Sequence, residues 1–110
     1  MREYAVIIKT TTNDHATALK ITSDLLDYKK AACVQIETVD SYYLWQGKLT
    51  SAKEYVLNVK TLKSKASDTI SFIRARHNYS LPEILQINID DCNSDYLSWI
   101  IKETKMQIAN

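Results

Sequence analysis

Few side chains in this 110-residue sequence have the chemistry of a reactive or ligating group, and they stand far apart. Cys33 is a soft thiol of the kind that copper and zinc favour, although a cysteine entering a strand serves equally as a small core side chain. His77 stands a few residues before Leu81-Pro82-Glu83, where a helix end and a loop can present an imidazole to solutes; its other natural role there is to face the helix macrodipole. Glu83, beside Pro82, is either a ligand or a solvated carboxylate within reach of Lys60. Tyr43 and Trp45 suit stacking on a planar ligand or anchoring a contact between chains. Cys92, next to Asp91, has no partner at a useful spacing and reads as structural, and His15 follows a capping position and is expected on the surface.

Motifs for catalysis are absent. There is no Gly-x-Ser-x-Gly elbow, no His-Glu-x-x-His helix and no phosphate loop, and the pair Cys33 and His77 has no evident orienting partner. The sequence is therefore read as that of a binding protein and not an enzyme. The two cysteines lie outside any paired zinc or dithiol spacing, so free thiols in a reducing cytoplasm are expected. With 14 Lys+Arg against 13 Asp+Glu, the chain has no basic excess to attract nucleic acid or anionic lipid. The glycine-rich signature of ferredoxin-like RNA binders cannot be built from one glycine, Gly47. Apolar runs such as Ala5 to Ile8 are far short of the roughly 20 residues of a bilayer span. Partners are accordingly expected to be neither nucleic acid nor membrane.

The elements that must position these groups follow from periodicity. Tyr4 to Lys9 is β-branched and apolar on both faces, as in a central strand. Asn13 or Asp14 can cap a helix with Ala18, Ile21, Leu25 and Tyr28 inward and Lys20, Asp24 and Asp27 on its surface, closed by Lys29 and Lys30. Ala32 to about Gln46 and Leu49 to Thr61 are two extended runs joined by a turn at Gly47-Lys48. Ser64 can open a second helix carrying Ala66, Ile70 and Ile73, which should end near Asn78, ahead of Pro82. Leu85, Ile87 and Ile89 then alternate with polar residues as in a strand wet on one face, and Asn93 or Ser94 caps a last helix with Leu97, Ile100, Ile101 and Thr104 inward. The order βαββαβ plus a terminal helix predicts an α+β, ferredoxin-like split β-α-β domain over residues 1–110, with helices against an antiparallel sheet.

Length alone makes the central hairpin unusual. Arms of about 14 residues reach about 45 Å, whereas a first helix of about 16 residues covers about 24 Å. The tip would project past its own core, and it carries Tyr42, Tyr43, Leu44 and Trp45, apolar on both faces. A second copy of the hairpin is the simplest cover, and a bulge near Thr38 to Ser41 that folds the tip back is the alternative.

Five fragments in order, Ala31-Ala-Cys33-Val, Ser41-Tyr-Tyr-Leu-Trp45-Gln-Gly47-Lys48, Leu57-Asn-Val-Lys60-Thr61, His77-Asn-Tyr79-Ser-Leu-Pro82-Glu83-Ile84 and Tyr96-Leu-Ser-Trp99, resemble the CutA family of divalent-ion tolerance proteins. The resemblance implies a ferredoxin-like homotrimer knit by long hairpins and linked to tolerance of divalent metals such as copper. It also implies a weak copper or zinc site in the cleft between subunits, with Cys33, His77 and Glu83 as the metal-site positions. Tyr42, Tyr43, Trp45, Lys60 and Tyr79 are implied to line or support that cleft or interface. Asn78 stands where the family has proline after the histidine. A signalling or scaffold role, with the same clefts offering Lys60 to a small anion or a surface to a partner protein, uses the same residues and stays open at this stage.

Overall fold

The computed structural model describes residues 2–106. β1 (Ala5–Thr12) buries Val6, Ile8, Thr10 and Thr12 completely on one side of the sheet, while Ile7, Lys9 and Thr11 are half-buried on the other. The strand runs three residues beyond the expected Lys9 because its buried threonines find acceptors. Thr10 Oγ1 donates to the Glu83 carbonyl at 2.7 Å and Thr12 Oγ1 to Asn78 Oδ1 at 2.6 Å, which removes the penalty for burying a hydroxyl.

Asp14 caps α1 (His15–Asp27), accepting from the Thr17 hydroxyl at 2.6 Å and from its backbone N–H at 3.1 Å. Ala18, Ile21 and Leu25 form the inward stripe. Two expectations for this helix need correction. Tyr28 is exposed, because the helix has already ended at Asp27, and Asp24 is buried instead of lying on the surface. Burial of this carboxylate is compensated by ion pairs: Arg76 Nε donates to Oδ2 at 2.9 Å and Lys20 Nζ to Oδ1 at 3.1 Å. These partners, Arg76 foremost, hold the Asp24 carboxyl below its ordinary range. The Arg76 guanidinium also lies 3.5 Å from the centroid of the Phe72 ring, one turn earlier on its own helix, so the guanidinium that ties the second helix to Asp24 of α1 is held in place.

β2 (Cys33–Trp45) and β3 (Lys48–Leu62) pair without interruption from Cys33↔Lys60 to Trp45↔Lys48. No bulge folds the tip back. The turn consists of Gln46 (φ 50°) and Gly47 (φ 77°), two left-handed residues whose twist matches that of the strands they join. A single 3-10 turn over Lys63–Lys65 then leads into α2 (Ala66–Arg76). Ser64 does not cap this helix; its hydroxyl donates to Glu3 Oε1 at 2.8 Å. α2 buries Ala66, Thr69 and Ile73, leaves Ile70 half-buried, and stops at Arg76 because His77 turns extended (ψ 145°).

β4 (Ile84–Asn88) pairs antiparallel with β1, giving the strand order β2-β3-β1-β4. The register places Gln86 and Asn88 beside Ile8 and Val6, on the side covered by α1 and α2. Leu85 and Ile87 therefore face the open side of the sheet, where they remain 49% and 42% exposed. At this edge both sides of the strand are wet, since Gln86 and Asn88 are exposed as well, and these two bond to each other at 2.9 Å. α3 (Ser94–Glu103) packs on this second side as well, with Ile100 against Ala5 and Leu62. Thr104 is buried as expected, Leu97 is half-buried, and Ile101 is exposed. Among the described residues no helix is long and apolar enough to cross a membrane.

Leu57 lies in the core shared by β1, β3, α1 and α2, fully buried. Leu57→Ala should lower unfolding stability by about 2–5 kcal/mol, read as a lower urea midpoint at constant protein concentration. A loss below about 1 kcal/mol would mean that this position is not close-packed.

Candidate functional site

Pairing of β3 with β1 ends at Tyr55↔Thr12, so Lys48–Glu54 is hydrogen-bonded to β2 alone. This two-stranded ribbon leans beside the segment that joins α2 to β4, and a cleft of about 870 Å³ lies between them. Strand alternation puts Ser41, Tyr43 and Trp45 of β2 on the same side as Thr50, Ala52 and Glu54 of β3, and this side forms one wall. The other wall is Asn78 to Leu81 and Glu83, with Thr11 and Asn13 at the base.

The loop wall is fixed by hydrogen bonds from successive residues to the end of β1. His77 Nε2 donates to the Thr11 carbonyl at 2.8 Å, and its Nδ1 accepts from the Tyr79 backbone N–H at 3.0 Å. Asn78 accepts from the Thr12 hydroxyl and donates to Asn13 Oδ1 at 2.9 Å, so an amide network does the anchoring at this position. The pinned loop delivers Tyr79, whose hydroxyl donates to Glu54 Oε2 at 2.7 Å, joining the loop to the ribbon. Burial first, then the Glu54 bond and charge, raises the Tyr79 pKa far above its ordinary value, so the phenol remains a proton donor.

Of the residues expected at a site, Tyr43, Trp45, Tyr79 and Glu83 meet at this cleft, Tyr42 borders it although alternation turns its side chain to the other side of the ribbon, and Cys33, Lys60 and His77 do not line it. The register sets Cys33 opposite Lys60, then Ile7, then Ile87, whereas Glu83 precedes Ile84, which pairs with Thr10. Three strand spacings across and about four residues along separate Cys33 from Glu83 by about 20 Å. Two ligands of one ion lie within about 4 Å of each other. Cys33, His77 and Glu83 of one chain thus cannot share a metal, and among the described residues no three His, Cys, Asp or Glu side chains gather as a cation site. Both nitrogens of His77 are already committed to backbone groups, and its place is behind Tyr79. Lys60 has its Nζ 5.6 Å from the centroid of the Tyr96 ring of α3 and does not line this cleft of the single chain. Sequence reasoning did not single out Glu54, Asn13 or Thr11; the one available signal was an acidic residue on the Tyr43 side of a strand that becomes apolar at Tyr55.

This arrangement defines an α+β, ferredoxin-like domain with a polar, aromatic cleft. The family model described as CutA1 divalent ion tolerance protein matches residues 6–103. The divalent-cation tolerance protein CutA of Pyrococcus horikoshii is 35% identical over 100 residues, spanning 91% of this chain and 98% of its own. The CutA of Pectobacterium atrosepticum is 33% identical over 97 residues, spanning 87% of this chain and 88% of its own. The crystal structure of CutA1 from Pyrococcus horikoshii superposes with a TM-score of 0.87 at 35% identity, covering 92% of this chain and 99% of that one. CutA1 from Ehrlichia chaffeensis superposes with a TM-score of 0.91 at 25% identity, covering 96% of this chain and 100% of that one. The chain belongs to the CutA1 divalent ion tolerance family, which is named for tolerance of cations and not for a reaction.

His77 also carries a pH dependence. Burial drives its pKa below the ordinary 6.5, outweighing the Thr11 carbonyl and the Glu54 charge, which both favour the protonated form. A folded pKa below the unfolded one means that the stability it contributes is fully present above pH 6.5 and is lost as pH falls below that value. The urea midpoint should therefore be lower at about pH 5.5 than at pH 7.5, and His77→Gln should remove part of that difference while costing about 1–2 kcal/mol at pH 7.5. Equal pH dependence in the two proteins would show that the ring is not held neutral by the fold.

Proposed function

We propose that the chain functions as a homotrimer whose subunits cover one another's hairpin tips, and that its response to divalent ions belongs to the assembly. The observation carrying this reading is the second side of the ribbon, opposite Glu54: Tyr42, Leu44 and Leu49 are 71%, 72% and 77% exposed in the single chain. Three large apolar side chains on a ribbon without a core of its own are costly to leave in water, and a two-stranded hairpin alone is marginally stable. The number three rests on family membership. Mass measured by light scattering at micromolar concentration should be three times the 12.6 kDa of one chain. Leu44→Asp, which places a carboxylate in that contact, should dissociate it. An intact trimer from this variant, or a monomeric parent, would overturn the assembly.

Weak copper or zinc binding is then a property of donors from different chains. Cys33 and Glu83 are the donors in question, since neither side chain is tied up within its own chain by a described hydrogen bond, whereas His77 is. Titration calorimetry of Cu(II) and Zn(II) should show heat in the assembled protein that is lost in Leu44→Asp and diminished in Cys33→Ser. Undiminished binding by dissociated Leu44→Asp would place the donors within one chain.

A further inference from the structure

The ribbon is bare except at its root. From Ser41 to Glu54, only Glu54 is buried, and it alone has a described hydrogen bond that leaves the hairpin. Glu54 is also the first residue past Tyr55↔Thr12, the point where β1 lets go of β3. Its partner, the Tyr79 hydroxyl at 2.7 Å, stands on the loop that His77 and Asn78 fasten to the end of β1. A carboxylate is a costly side chain to bury, and apolar packing would hold a strand here more cheaply. What a charged hydrogen bond adds is direction, because it fixes both distance and angle where apolar contact permits sliding.

Position along the ribbon makes that direction matter. The pair Leu44↔Leu49, on the side opposite Glu54, lies about 17 Å beyond it. A turn of about 10° at the root therefore carries the pair about 3 Å, several times the gap that forfeits half of a close contact. A two-stranded ribbon has little stiffness of its own to prevent such a turn.

We propose that the bond between Tyr79 and Glu54 is a latch: it sets the angle at which the ribbon leaves the body, and with it the fit of the Leu44 and Leu49 side against a neighbouring copy of the chain. Resting on the homotrimer proposed above, the latch couples two opposite sides of one ribbon. Release of the loop after α2 loosens the contact between chains, and by reciprocity assembly holds that loop in place. A ribbon that keeps the fitting angle about a tenth of the time weakens assembly about tenfold per subunit.

Subunit exchange reads this effect: unlabelled and isotope-labelled protein are mixed, and the appearance of mixed trimers is followed by native mass spectrometry. Tyr79→Phe removes the bond and keeps the ring; it should exchange at least about tenfold faster than the parent, since losses of affinity fall mainly on dissociation. Glu54→Leu breaks the same bond without stranding a buried charge and should behave alike. The double variant should be no faster than the faster single one, as for a single shared contact. Glu54→Gln keeps an acceptor for the hydroxyl and should stay within about threefold of the parent. Leu57→Ala, which weakens the core and leaves the latch, should stay there too. Exchange at the parent rate in a folded Tyr79→Phe or Glu54→Leu, or equally fast exchange in Leu57→Ala, would overturn the latch and leave the homotrimer standing. A parent that is monomeric by light scattering would remove both.

Discussion

A hairpin longer than the body that supports it is the constraint from which the rest of this structure follows. β1 holds β3 only as far as Tyr55, and Lys48–Glu54 continues with β2 as a ribbon of about 23 Å. That overhang stretches the molecule to 52 × 32 × 20 Å. It also divides the ribbon into two sides by simple alternation. One side, with Tyr43, Trp45 and Glu54, walls a cleft within the chain; the other, with Leu44 and Leu49, has no described residue of its own chain to rest on.

The cleft has a second wall only because the segment after α2 is fastened to the end of β1. Thr10, Thr11, Thr12 and Asn13 each supply a hydroxyl, carbonyl or amide oxygen to that segment. The bonds of Thr10, Thr11 and Thr12 are partly shielded from water, where each is worth more than at a free surface. His77 takes part as a ring bridging two backbone groups, so neither nitrogen is free within its own chain, and burial holds its pKa below the ordinary value. The bond from Tyr79 to Glu54 then ties the loop to the ribbon, so the spacing of the two walls is set by one contact that reports on both.

Much of this was legible in the sequence, and the exceptions share a cause. Period-2 and period-3.6 patterns located every strand and helix, and Gly47 located the turn, because those signals are local. The reach of the hairpin was legible as well, since the arms needed only to be counted against a helix. Asp24 was misplaced because its burial depends on Arg76, half a chain away and on another helix. The same holds for Gln86 and Asn88, whose side of the sheet is set by pairing with β1 and not by their own pattern. The trio Cys33, His77 and Glu83 had suitable ligand types, but convergence is a matter of register, and the register holds Cys33 and Glu83 on opposite edges of the sheet. Glu54 escaped notice because a single glutamate in a strand carries no pattern until Tyr79 arrives beside it.

The central claim, that copies of this chain cover the ribbon, is tested most directly by amide hydrogen exchange in the assembled protein. A covered tip predicts that Tyr42 to Thr50 exchange as slowly as neighbouring ladder amides such as Leu57 and Val59, because opening the ribbon would require breaking the contact between chains. A bare two-stranded ribbon is marginally stable and frays readily. Exchange at Tyr42 to Thr50 as fast as in a free hairpin, alongside slow exchange at Leu57 and Val59, would contradict the account.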